Sequence, residues 1–62
     1  MTNKDKARFI NQAYSSAIEV LNFLIISFEL NFLSEAIYLK LREDIEYITN
    51  QLNALYKKLV TT

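Results

Sequence analysis

The sequence predicts an all-α protein, an antiparallel hairpin of two helices that self-associates into a four-helix bundle or a larger ring. The helices follow from the absence of glycine and proline and from apolar residues that recur at steps of three and four along two segments. The association follows from size, because 62 residues form only a marginal core. The chain has no cysteine or histidine, so neither disulfides nor the usual metal ligands add stability.

The first helix is expected over about residues 3–30, with Thr2 or Asn3 as its N-cap. Its second half is apolar nearly all round, which is typical of a helix with neighbours on more than one face. One apolar row comprises Ile10, Ala13, Tyr14, Ala17, Val20 or Leu21, Leu24 and Phe28, and another comprises Phe9, Phe23, Ile25, Ile26 and Leu30.

A short turn is expected over about residues 31–34. Asn31 is the best substitute for glycine in the left-handed conformation that ends a helix. Ser34 is a good N-cap for the next helix, and Glu35 favours the dipole of its first turn. So short a connection makes the two helices antiparallel neighbours.

The second helix is expected over about residues 35–60, and its apolar residues step close to a heptad. A lone hairpin leaves a broad apolar surface exposed to solvent. We therefore predict that the apolar residues of this heptad-like row and the facing residues of the first helix form the self-association interface. The predicted interface consists of Ile10, Ala13, Ala17, Leu24, Phe28, Ile37, Leu41, Ile45, Ile48, Leu52, Leu55 and Leu59.

No catalytic constellation is recognisable, so the chain is not expected to be an enzyme and no cofactor or metal is expected. Ser15 and Ser16 have no histidine anywhere in the chain to activate them. Glu19 lies among apolar neighbours, where it is either a site acid or an ordinary boundary residue. The second interpretation is favoured, because no partner base or metal ligand accompanies it.

The side-chain charges sum to zero, yet an antiparallel hairpin separates them. Most carboxylates fall toward the turn, whereas the open end gathers basic residues. These are the candidate nucleic-acid contacts: Lys4, Lys6, Arg8, Lys57 and Lys58. Dispersed charges of this kind are also ordinary solvated helix ends, and oligomer symmetry would be needed to multiply them into a phosphate-binding ring.

Four tyrosines leave two interpretations open. Tyr14, Tyr38, Tyr47 and Tyr56 are a possible stacking platform for single-stranded bases. The three in the second helix are nine residues apart, and we expect them to line one subunit contact, since tyrosine is enriched at protein interfaces.

We expect a cytoplasmic protein with no membrane partner. The absence of cysteine fits a reducing compartment. The most apolar run, residues 20–33, is interrupted by polar residues and is shorter than the ~20 residues that a membrane helix needs.

From Phe9 the stretch F-I-N-Q-A-Y-S-S-A-I-E-V-L resembles the third helix of the bacterial four helix bundle protein family. That family includes the 23S ribosomal RNA intervening-sequence proteins and the accessory variability proteins of diversity-generating retroelements. The residues that carry the resemblance are Phe9-Ile10, Ala13, Ser15-Ser16 (where Ser15 replaces a glycine), Glu19, and the turn Glu29–Ser34, where Asn31 replaces another. Tyr38, Leu41, Ile45, Ile48, Leu52, Leu55 and Leu59 resemble the last helix.

The resemblance covers about residues 4–60 and implies that the chain corresponds to the C-terminal half of a family member, without the first two helices. It also implies closed homo-oligomers, pentameric rings among them. For the retroelement type it implies basic surfaces that bind nucleic acid and a reverse transcriptase.

Two functions are therefore carried forward. The first is a non-catalytic oligomerisation and protein-interaction module built as a helical bundle. The second is a nucleic-acid-binding accessory protein, for RNA or single-stranded DNA, that uses the basic end of the assembled oligomer. They differ in salt dependence, because phosphate binding weakens steeply as salt rises and apolar docking does not.

Overall fold

The computed structural model describes residues 2–61, which form two α-helices of 27 residues each. Helix α1 spans Asn3–Glu29 and helix α2 spans Glu35–Thr61. The helices pack against each other as an antiparallel hairpin with extents of 44 × 15 × 13 Å. No strand occurs within residues 2–61. The predicted all-α hairpin is confirmed, while its assembly into a bundle stays a prediction.

The start of α1 is fixed by a capping box. The Thr2 hydroxyl accepts the Asp5 N–H at 3.1 Å, and the Asp5 carboxylate accepts the Thr2 N–H at 3.4 Å. Two of the backbone donors that lack partners at a helix start are thereby satisfied. Of the two residues proposed as N-cap, Thr2 therefore holds that position.

The end of α1 is a Schellman motif built without glycine. Asn31 has a φ of 65°, the left-handed conformation expected for it. The Phe32 N–H donates to the Ser27 carbonyl at 2.9 Å, and the Asn31 N–H donates to the Phe28 carbonyl at 3.0 Å. These bonds satisfy carbonyls that the ending helix would leave open.

The start of α2 is capped by Ser34, as the sequence predicts. Its hydroxyl accepts the Ile37 N–H at 3.3 Å, and its carbonyl accepts the Tyr38 N–H at 2.9 Å. The chain thus reverses over residues 30–34 with its backbone groups largely paired. The end of α1 and the start of α2 consequently lie together at one end of the hairpin.

The core is a single row of contacts between the two helices. Only Ala7, Leu24 and Tyr38 are buried among the described residues, and none of their side chains is fully enclosed. The rings of Phe28 and Tyr38 stack at the turn, with centroids 4.3 Å apart and planes inclined by 15°. The remaining row is half-buried: Ile10, Ala17, Leu21 and Phe28 on α1, with Ile45, Thr49, Leu52, Tyr56 and Leu59 on α2.

The hairpin exposes more surface than a compact protein of its mass. Its accessible surface is 4951 Å², whereas a folded monomer of the same mass has about 4,200 Å². Its radius of gyration is 14.3 Å, against about 10.6 Å for a compact domain of this length. About 800 Å² is therefore exposed beyond what a compact monomer of this mass exposes.

Helix α1 is long enough and apolar enough, by length and composition alone, to cross a membrane. Only 6% of the relevant stretch is buried within the hairpin. Core helices of soluble proteins, which are mostly buried, and signal sequences near an N-terminus satisfy the same criterion. The expectation of no membrane partner stays a prediction.

Candidate functional site

The structure divides the twelve residues of the predicted self-association interface into two groups. Seven are at least half-buried, and only the other helix of the same chain is there to cover them: Ile10, Ala17, Leu24, Phe28, Ile45, Leu52 and Leu59. Five remain exposed: Ala13, Ile37, Leu41, Ile48 and Leu55. Self-association itself stays a prediction, and these five are the part of the predicted interface still available for it.

The division has a geometric cause. A row with steps of three and four is broad enough to touch two neighbours, and one antiparallel helix covers only one edge of it. On α2 the edge at Tyr38, Ile45 and Leu52 meets α1. The edge at Leu41, Ile48 and Leu55 does not, and these side chains are 40%, 49% and 47% exposed.

Eight exposed apolar residues, drawn from both helices, lie on one side of the hairpin. Side chains advance about 100° per residue around an α-helix. By this measure, Val20 is rotated away from the residues of α1 that contact α2. Ile48 is rotated in the same way from the residues of α2 that contact α1. Because the helices are antiparallel, both residues lie on the same side of the hairpin. We call the set the apolar face: Phe9, Ala13, Val20, Phe23, Ile37, Leu41, Ile48 and Leu55.

The opposite side of the hairpin carries mainly polar side chains, with the exposed Val60 among them at the open end. By the same measure, Asn11 and Asn22 of α1 and Arg42 and Asn53 of α2 lie there, and all four are exposed. A hairpin with one apolar and one polar side is the shape of half a four-helix bundle, in which the apolar side faces the interior.

The expectation that three tyrosines line one subunit contact is wrong. Nine residues make two and a half helical turns, so successive members of the set lie on opposite sides of α2. Tyr38 is buried against Phe28, and Tyr56 is half-buried between the helices. Tyr47 is 65% exposed on the other side, where its hydroxyl accepts the Gln51 amide N–H at 2.9 Å.

The hairpin separates its charges along its length, as predicted. The half that contains the turn, residues 16–48, has six acidic and two basic side chains, a net charge of −4. The half at the open end has five basic side chains and one acidic, a net charge of +4. We call these the acidic turn end and the basic open end.

The ion pairs sharpen this separation. Lys40 contacts Asp44 at 3.0 Å and Arg42 contacts Glu46 at 3.3 Å, both within α2 at the acidic turn end. Over residues 2–61 these are the ion pairs present. The two cations of the turn end are therefore already matched by carboxylates, whereas the basic open end has no such neutralisation among the described residues.

Both paired cations keep their charge strongly. The hydrogen bond to Asp44, followed by the charges of Asp44 and Glu43, raises the pKa of Lys40 above its usual value. The hydrogen bond to the Tyr38 hydroxyl, at 3.2 Å, and then Glu46 raise the pKa of Arg42 above its already high value. Lys40 and Arg42 thus stay charged across the physiological range.

A groove follows the polar side of the hairpin at the open end. Its outer part has a volume of about 510 Å³ and its inner part about 340 Å³, and the two share Asn11 and Tyr56. We call it the basic groove. Its lining combines cationic, amide and aromatic side chains: Asn3, Lys4, Arg8, Asn11, Tyr14, Asn53 and Tyr56, over a floor that includes Ala7, Ile10, Leu52, Leu59 and Val60.

Two of the five predicted nucleic-acid contacts, Lys4 and Arg8, line this groove. Lys6, Lys57 and Lys58 are exposed at the same end of the hairpin but outside the lining. The three asparagines were missed, because an amide carries no charge signal. Helical spacing would have found one of them, since Asn11 lies seven residues from Lys4 and three from Arg8 on the same side of α1.

Nothing in the described residues resembles a metal or catalytic centre. No group of three His, Cys, Asp or Glu side chains within residues 2–61 is close enough to hold a metal ion. Ser15, Ser16 and Glu19 are all exposed, and Glu19 is therefore not a buried acid. The arrangement can associate through one side and contact a polar ligand through the other.

The comparison with known families gives one match. A family model described as 23S rRNA-intervening sequence protein matches residues 1–54. The matched region contains α1, the turn and most of α2, and it includes the whole apolar face except Leu55. No curated protein and no solved structure matches the chain.

Proposed function

The chain belongs to the 23S rRNA-intervening sequence protein family, and from this premise we propose that it is a non-catalytic helical module that works as a homo-oligomer and docks a partner protein. The family match confirms the resemblance noted in the sequence. The oligomer and the docking role are what we add to it.

The exposed apolar face is the observation that carries the proposal. Phe9, Phe23 and Ile37 are each more than half exposed, and they belong to a continuous set. Monomeric soluble proteins rarely expose contiguous apolar patches larger than a few hundred Å². The whole hairpin exposes about 800 Å² more than a compact monomer of its mass, which is comparable to the area that each partner contributes to a standard-size protein interface.

The chemistry of the chain supports a role without catalysis. General acid–base and nucleophilic mechanisms need a positioned pair of groups, such as a serine beside a base. The chain has no histidine that could activate the exposed Ser15 and Ser16, and the exposed Glu19 does not line the basic groove. Binding surfaces are what remain.

The test is the mass in solution, measured by light scattering on a size-exclusion column over a dilution series. We expect a stable oligomer for the wild type and a monomer for Ile48→Asp, which places a charge on the apolar face. Tyr47→Asp is the matched control, because it changes an exposed neighbour on another side of α2 and should leave the mass unchanged. A well-folded wild-type monomer that persists on dilution would contradict the proposal.

The basic groove favours a second function, binding of RNA or single-stranded DNA. Lys4 and Arg8 are placed to contact phosphates, the asparagine amides to contact base edges, and Tyr56 to stack. The groove lies on the side opposite the apolar face, so association and nucleic-acid binding are compatible.

Fluorescence anisotropy with a labelled single-stranded RNA at low salt tests this second function. We expect binding that weakens as salt rises, with a log–log slope that becomes shallower by about 0.7 for each phosphate that Lys4→Gln or Arg8→Gln leaves without its cation. Lys40→Gln is the control, since that lysine lies at the acidic turn end and pairs with Asp44. Absence of binding at low salt would remove this function and leave the first intact.

A further inference from the structure

We propose that two copies of the chain pair through their apolar faces in antiparallel fashion, with the basic open end of each over the acidic turn end of the other. This inference rests on the proposed self-association and adds its orientation. The partner is therefore a second copy of this chain, related by a twofold axis that crosses both helices near their middles.

Two twofold arrangements bring the apolar faces together. When the axis runs along the helices, open end meets open end, and α1 of one copy covers α2 of the other. When the axis crosses the helices, open end meets turn end, and each helix covers its own counterpart in reverse. Every neighbouring pair of helices is antiparallel in both arrangements, so helix packing alone does not choose between them.

Apolar matching does not choose either. Phe9 and Leu55 lie toward the open end, and Phe23 and Leu41 lie toward the turn, at similar distances from the middle of the hairpin. Each arrangement therefore sets large side chains against large side chains. The deciding term has to come from another property of the two ends.

The charges provide that term. The crossing axis sets a net charge of +4 over one of −4 at each end of the pair, whereas the lengthwise axis sets +4 over +4 and −4 over −4. Most of these charges lie outside the apolar face, Lys4 and Arg8 in the basic groove among them. They therefore act between whole ends at low ionic strength, where complementary ends favour association and like ends disfavour it. The net charge of −4 at the turn already counts Lys40 and Arg42, and their two ion pairs leave four carboxylates there without a paired cation.

A cross-linking experiment reads the orientation directly. Ile48 is the middle residue of α2 (Glu35–Thr61) and lies on the apolar face. In the proposed pair it lies next to the axis, beside the Ile48 of the second copy. In the alternative pair the two copies of this residue lie diagonally across the bundle, beyond the ~7 Å between Cα atoms that a disulfide tolerates.

The chain has no cysteine of its own, so Ile48→Cys gives a clean readout in a glutathione redox buffer. We expect a covalent dimer for Ile48→Cys and none for the control Tyr47→Cys. If Ile48→Cys is dimeric by light scattering yet forms no disulfide, the proposed orientation is wrong, while the proposed self-association still holds. A wild-type species larger than a dimer would likewise overturn the orientation, and a wild-type monomer would overturn both.

Charge reversal gives a second test that does not depend on the apolar face. Lys57→Glu with Lys58→Glu changes the open end from +4 to neutral. In the proposed pair this removes an attraction, and we expect the dissociation constant to rise by about tenfold at low ionic strength. In the alternative pair it removes a repulsion, so tighter association would overturn the orientation. Circular dichroism of the double variant checks that its helices remain intact.

Discussion

The two ends of the hairpin are held by different means. At the turn end, the Phe28–Tyr38 stack, the left-handed Asn31 and the Ser34 cap act within a few residues of one another. At the open end, the Thr2 capping box fixes only the start of α1, and the helices meet through half-buried side chains beside an open groove.

This difference shows which part of the hairpin is stabilised by contacts within the chain and which part depends on a partner. Local hydrogen bonds and one aromatic pair reverse the chain without help. The rest of the hairpin has a single row of contacts, and 27-residue helices with one row each bury little. Most helical stability in proteins comes from packing of an amphipathic face. The turn end is therefore expected to be the more stable of the two in the isolated chain.

The largest expected effect comes from removing the aromatic stack. We expect Tyr38→Ala to lower the free energy of unfolding by about 3 kcal/mol, because it deletes a buried ring and leaves a cavity. Tyr56→Ala removes a half-buried ring at the open end and should cost about half as much. Urea unfolding at one fixed protein concentration measures both. Equal losses would show that the two ends are equally well packed.

Tyr38→Phe is the control for this comparison. It keeps the ring against Phe28 and removes only the hydroxyl that accepts the Arg42 guanidinium N–H at 3.2 Å. We expect a loss of about 1 kcal/mol or less. A loss as large as that of Tyr38→Ala would mean that the hydrogen bond, and not the stack, holds the turn end together.

The turn conformation should show the next largest effect. Asn31→Ala forces a residue without asparagine's local hydrogen bonding into φ of 65°, and we expect a loss of about 1 kcal/mol in the free energy of unfolding. Asn31→Gly should stay within about 0.5 kcal/mol of the wild type, because glycine adopts this conformation freely. A loss in both variants would assign the role of Asn31 to its side-chain contacts instead.

The two helix caps test the comparison more finely. Ser34→Ala removes the acceptor of the Ile37 N–H and should cost about 1 kcal/mol. Thr2→Ala removes a more elaborate cap but should cost about half of that, because the open end can fray without unfolding the rest. Thermal unfolding followed by circular dichroism measures both. A larger loss for Thr2→Ala would reverse the order of stability that we assign to the two ends.

The smallest effect concerns the ion pair of Lys40 and Asp44, whose side chains are 69% and 51% exposed. The folded state raises the pKa of Lys40 above its ordinary value of 10.5. The stabilisation is therefore fully present below that pH and is lost as pH rises through the higher folded-state pKa. We expect the difference in stability between the wild type and Lys40→Gln to be constant from neutral pH up to about pH 10 and to vanish above. A difference that already fades at neutral pH would assign it to another group.

The local features of this fold were predictable, since each depends on a few adjacent residues. The residue types of Asn31 and Ser34 are enough to predict the end of α1 and the start of α2. The sequence did not predict which residues of the heptad-like row contact α1 and which stay exposed. Nothing along α2 indicates whether the edge of Ile45 or the edge of Ile48 meets α1. That choice depends on how the two helices rotate about each other.

The candidate site was predicted less completely than the fold. The basic open end followed from charge and antiparallel geometry. The groove depends on Asn11 and Asn53 from different helices, and their proximity is a tertiary fact. The tyrosine prediction failed for a simpler reason, since a spacing of nine residues alternates sides of a helix.

Thr2 and Thr61 lie at the same end of the hairpin, and this sets a length requirement for any covalent joining of two copies. In the proposed pair the second open end lies at the far end of a body 44 Å long. An extended linker covers at most about 3.3–3.6 Å per residue, so it needs at least about 13 residues to reach. A tandem chain with a shorter linker would be forced into the other arrangement or into pairing with further chains. The shortest linker that still allows pairing within one tandem chain therefore distinguishes the two orientations.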